Sequence, residues 1–80
     1  MILFPQTVLD ILARGGCVRM PAKNVFPDVM KQYASAAKSG GGYVEFVAGD
    51  ATLFPQTMND VTALGGAHVR WDFASIVQTD

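Results

Sequence analysis

The sequence predicts an α/β fold: three short helix–strand units forming a two-layer, solenoid-like stack, with a three-stranded parallel sheet open on one face. Three observations predict it. The pentapeptide Leu-Phe-Pro-Gln-Thr occurs at Leu3–Thr7 and again at Leu53–Thr57, with a weaker counterpart at Val25-Phe26-Pro27. Behind each copy, apolar residues recur at helical spacing up to a glycine group. Behind each glycine group, apolar and polar residues alternate with the period of a strand.

The helices come first in each unit. Pro5, Pro27 and Pro55 suit a first helical position, where the missing N–H needs no partner. Three residues on stand Val8, Met30 and Met58; six on, Ile11, Tyr33 and Val61; seven on, Leu12, Ala34 and Thr62. Those offsets fall on one helix face. Gly15-Gly16, Gly40-Gly41-Gly42 and Gly65-Gly66 end the helices, since glycine accepts the left-handed geometry of a helix C-terminus. Ala36, Ala37, Lys38 and Ser39 lengthen the middle helix by roughly one turn.

The strands follow: Cys17–Met20, Tyr43–Val47 and His68–Phe73. Aligned on Val18, Val44 and Val69, one face also carries Met20, Phe46, Trp71 and Phe73 and is apolar. The other carries Cys17, Arg19, Tyr43, Glu45, Val47, His68, Arg70 and Asp72 and is mostly polar. A parallel sheet covered on both sides needs near-continuous apolar strands. Here the helices must share the apolar face. Pro21 closes the first strand, which places that strand at an edge. The arrangement is similar in principle to a leucine-rich-repeat solenoid, although that family's leucine-and-asparagine consensus is absent. The alternative is a compact α+β domain with an antiparallel sheet.

Eighty residues make a single domain, with units of approximately 3–24, 25–52 and 53–73 and a C-terminal tail at 74–80. Gly49-Asp50-Ala51-Thr52 reads as the turn between the second and third units. In the tail, Ser75-Ile76-Val77 either frays or covers an end of the stack. The apolar runs are too short for a membrane span, and the first residues lack the pattern of a signal peptide. One cysteine precludes an intrachain disulfide and fits a cytoplasmic setting. A net charge of −1 supplies no field for nucleic acid or anionic lipid. Two open sheet edges without a dedicated cap invite a second chain, so a homodimer is expected, through an edge or exposed apolar helix surface.

The polar face supplies the candidate site. Alignment puts Cys17, Tyr43 and His68 in one row and Arg19, Glu45 and Arg70 in the next, with Asp72 beyond. The charged row reads as a carboxylate between two guanidiniums. Tyrosine and arginine on a rigid sheet are residue types that dominate interfaces. The expected function is therefore a non-enzymatic protein-binding module, a regulator or inhibitor of a larger protein, binding through Arg19, Tyr43, Glu45, His68, Arg70 and Asp72.

Other chemistry is harder to assemble. Cys17 and His68 lie two strand spacings apart, about 10 Å, too far for a thiolate–imidazolium couple. Cys17 is expected to be buried or half-buried. The same spacing keeps Cys17, His68 and Asp72 from converging on a metal ion. Gly40-Gly41-Gly42 closes a helix rather than opening one, so it is no phosphate cradle. No catalytic residue, cofactor or metal is expected. Gln6, Thr7, Gln56 and Thr57 fall near the crevice beyond the strand C-termini where α/β folds tend to bind ligands, but their repetition at equivalent places reads as structural starts of helices, with Phe4, Phe26 and Phe54 plugging between units. Nucleic acid is disfavoured by Glu45 and Asp72 on the polar face. Two further classes stay open: an enzyme or enzyme subunit whose site is completed at a dimer interface by Cys17 or His68, and a self-assembling structural protein.

Overall fold

The computed structural model describes residues 5–23 and 25–73. The elements run α1 (Pro5–Ala13), β1 (Cys17–Pro21), α2 (Pro27–Gly40), β2 (Tyr43–Val47), α3 (Pro55–Gly65), a single 3-10 turn (Gly66–His68) and β3 (Val69–Asp72). The three strands form one parallel sheet in the order β1-β2-β3. An antiparallel arrangement is therefore excluded. The tail at 74–80 and the leading residues Leu3 and Phe4 of the first pentapeptide lie outside the described residues.

Proline opens all three helices, and no side chain caps α2 or α3. Instead the extended residue before each proline offers its carbonyl. Phe26 O accepts from Met30 N–H at 3.0 Å, and Phe54 O accepts from Met58 N–H at 3.0 Å. The repeated glutamine has a matching role in α1 and α3. Gln6 Nε2 donates to Asp10 Oδ1 and Gln56 Nε2 to Asp60 Oδ1, each at 2.9 Å. Both are one-turn pairs that staple the exposed face of a helix. With 14 residues, α2 exceeds the 9 of α1 and the 11 of α3, as the inserted alanines require.

The register matches the valine alignment: Val18, Val44 and Val69 form one row, and Met20, Phe46 and Trp71 another. Pro21 stands at the end of edge strand β1, opposite Val47, where its missing N–H costs no central ladder bond. The ladders continue past the strand ends: Ala22 N–H donates to Val47 O at 2.8 Å and Ala48 N–H to Asp72 O at 2.9 Å.

One sheet face is sealed. Met20, Val44, Phe46 and Val69 are buried with Val8, Leu12, Met30, Tyr33, Ala34, Ala37 and Val61 from the helices. α2 lies between α1 and α3. Its Ala34 and Ala37 are wholly buried, and such small side chains let neighbouring backbones come close. Trp71 is half-buried; its ring centroid lies 5.1 Å from that of Phe46, and its Nε1 donates to Thr62 Oγ1 at 2.9 Å. On the opposite face Cys17, Arg19, Tyr43 and Arg70 are exposed.

Four expectations need correction. His68 belongs to the 3-10 turn, because Val69 N–H bonds back to Gly66 O and delays the strand by one residue. Phe73 falls beyond β3 and is exposed instead of facing the helices. Ile11 is exposed while its counterparts Tyr33 and Val61 are buried. Among the described residues α1 is an outer helix that packs in the helix layer against α2, and Ile11 lies on its exposed flank. Phe26 and Phe54 plug nothing, being 73% and 63% exposed. In the extended stretch before each helix, Val25 and Leu53 turn toward the core, and the next residue must turn away.

Candidate functional site

The open face is organised around β2. Register sets Tyr43 opposite Cys17 on one side, and Glu45 opposite both Arg19 and Arg70. The row of Arg19, Glu45 and Arg70 is therefore in place, whereas the other row pairs Cys17 with Tyr43 and His68 stands outside the ladder. The side chains of the charged row pair differently.

Arg19 reaches across β2. Its Nη2 donates to Asp72 Oδ2 on β3 at 2.7 Å, while its Nε lies 3.7 Å from Glu45 Oε2. Both carboxylates of the face thus gather on one guanidinium. That guanidinium is held above its ordinary pKa, chiefly by the hydrogen bond it donates to Asp72. Arg19 is well exposed, so the cluster adds little to stability. It does fix where the negative charge sits.

Arg70 makes no ion pair among the described residues, contrary to the expectation of a carboxylate shared by two guanidiniums. Its guanidinium carbon lies over the Tyr43 ring, 4.8 Å from the centroid. A planar guanidinium gains there from the negative ring face. Glu45 is drawn to the Arg19 side, which leaves Arg70 to the aromatic ring.

His68 completes the cluster from the turn before β3. Its ring centroid is 5.2 Å from that of Tyr43. Nδ1 is 2.7 Å from Gly42 O, and a carbonyl only accepts, so Nδ1 carries a proton and donates it. Tyr43 itself is 36% exposed, its ring braced by Arg70 and His68. Cys17 is exposed at the β1 end of the same row, not buried or half-buried. Tyr43 stands between Cys17 and His68, opposite Cys17 in the β1–β2 register and in ring contact with His68. A shallow depression of about 280 Å³ lies among Cys17, Val18, Arg19, Tyr43, Glu45 and Arg70.

A second concavity lies beyond the C-terminal ends of the strands, where ligands of α/β folds tend to bind, and Thr57 is among its lining residues. Where β1 and β2 end and α2 and α3 begin, a crevice of about 360 Å³ opens among Ala22, Val25, Met30, Ala51 and Leu53, with Phe26 and Phe54 also lining it. Lys23 and Asp50, which also line it, are paired at 3.1 Å; that bond holds the Asp50 carboxyl below its usual 3.8. The signal was present in Val25-Phe26 and Leu53-Phe54. Alternation sends one residue of each pair inward and the other out.

Comparisons with known protein families, with curated proteins and with solved structures gave no match for this chain. Among the described residues, no helix is long and apolar enough to cross a membrane.

Proposed function

We propose that this chain is a non-enzymatic protein-binding module that offers the open face of its sheet to a larger protein, as a regulator or inhibitor. Tyr43 and Arg70 are the anchors; Arg19, Glu45, His68 and Asp72 set the charge pattern around them. One observation carries this reading: Tyr43 is exposed yet braced, with Arg70 at 4.8 Å and His68 at 5.2 Å. Tyrosine and arginine lead the residue types that concentrate binding energy. Side chains already held in place lose less freedom on association. The exposed free thiol of Cys17 suits a reducing cytoplasm.

The test is affinity capture with the wild type beside an Arg19→Ala, Tyr43→Ala, Arg70→Ala variant of verified fold. A partner held by the wild type should be lost by the variant. Retention of the same partner would move the site off this face.

The exposure of Phe26 and Phe54 beside an apolar crevice favours a second association, with another copy of this chain. Two such rings and a hollow on one patch suit a self-complementary twofold contact. Sedimentation should then show a dimer that Phe26→Ser, Phe54→Ser converts to monomer. A wild type that stays monomeric at high concentration removes the idea.

We also read units 3–24, 25–52 and 53–73 as a solenoid-like repeat. The matching Gln–Asp staples, the equivalent phenylalanine carbonyls and the valine row without offset support that reading.

A further inference from the structure

We infer that the partner meets this face with an acidic side chain, an aspartate or glutamate whose carboxylate is received by Arg70 beside Tyr43. The inference rests on the open-face reading and adds the chemistry of the occupant. Its basis is the uneven distribution of charge. Asp72 and Glu45 both lie within 4 Å of Arg19, at 2.7 and 3.7 Å. Glu45 stands opposite Arg70 as well as Arg19, yet Arg70 has no carboxylate partner among the described residues. Among the described residues, one cation of the face is paired with carboxylates and the other is not.

The orientation of Arg70 suits a carboxylate. A guanidinium stacked on a ring by its flat face keeps the N–H donors of its edge directed outward. Those donors match the two oxygens of a carboxylate. The adjoining depression of about 280 Å³ has room for a side chain at the small end of ligand-pocket sizes. Glu45, on its Arg19 side, repels an acid placed there. The acid is thereby confined to the Arg70 end, which fixes the partner's direction across the strands. A nucleic-acid backbone fits less well, because its successive phosphates would pass Glu45 and Asp72 on the same surface.

The experiment is selection from a random peptide display library on the wild type and on Tyr43→Ala, Arg70→Gln and Arg70→Glu, each of verified fold. Wild-type peptides should share an aspartate or glutamate at one position. Replacing that acid by its amide should weaken binding to the wild type roughly tenfold or more, and binding to Arg70→Gln hardly at all. Arg70→Glu should select basic residues instead.

Peptides that need Tyr43 but carry no acid, or whose acid is indifferent to Arg70, would overturn the acidic inference and leave the open-face reading standing. Peptides indifferent to both Tyr43 and Arg70, or no enrichment at all, count against both. Arg70-dependent binding of a single-stranded oligonucleotide, with no acidic peptide selected, would replace a protein partner by nucleic acid.

Discussion

Replacing Gly42 by alanine is expected to lower the unfolding free energy by about 3 kcal/mol or more. Gly42 sits where α2 turns into β2, and every backbone group there is engaged. Its N–H donates to Ala37 O at 2.9 Å, and its carbonyl accepts from His68 Nδ1 at 2.7 Å. A β-carbon added at this position would collide with the carbonyl oxygen of Gly16 and lie 3.0 Å from that of Leu12. Both are backbone atoms, so no rotamer change relieves the clash. Gly16 O also accepts the Tyr43 N–H at 3.1 Å, so relief requires opening the start of the β1–β2 ladder. A domain of this size has a total stability of roughly 4–12 kcal/mol.

Gly41 is the internal comparison. It caps α2 at φ 77°, and a β-carbon there meets nothing within 4 Å. Gly41→Ala should therefore cost only the left-handed backbone term, about 1 kcal/mol. Denaturant unfolding of both variants checks the order. Equal losses, or a larger loss for Gly41→Ala, would contradict the close-approach account of Gly42.

Phe46→Ala should cost about 3–5 kcal/mol, the range for removing a fully buried phenylalanine. Phe46 is 0% exposed on the central strand, flanked by Met20 and Trp71 in register. Its ring meets that of Trp71 at 5.1 Å with a 36° tilt, so the truncation leaves a cavity and also strips a face of the indole. The midpoint of thermal unfolding should fall by more than about 10 °C, with a change in native tryptophan fluorescence. Phe46→Leu, which keeps much of the volume, should lose about 1 kcal/mol. A Phe46→Ala protein as stable as the wild type would mean that the core does not centre on this row.

Strand order and register were legible because three valines sit at equivalent places in segments of period two. Once Val18, Val44 and Val69 align, the parity of Arg19, Glu45 and Arg70 follows without further choice. The ion pairs were not legible in the same way. Backbone register gave Glu45 two arginine neighbours, and only side-chain reach decides between them. Arg19 is long enough to cross a whole strand to Asp72, a contact that a nearest-neighbour reading of the rows passes over. His68 was misplaced by one residue because the second glycine of Gly65-Gly66 begins a turn of its own before the strand starts. The outward Phe26 and Phe54 were misread as core by residue type, where alternation with Val25 and Leu53 was the better guide.

The Arg19–Asp72 contact has a consequence for the order in which the sheet assembles. β1 and β3 share no ladder, since β2 lies between them, and the two side chains are 53 positions apart in the chain. They meet only when β1 has found its register on β2 and β3 has found its own on the far side. A slip of one residue in either ladder turns one of the two side chains to the opposite face. This clasp is therefore a proofreading contact: it contributes little to how tightly the sheet holds, and its closure records that both registers are correct.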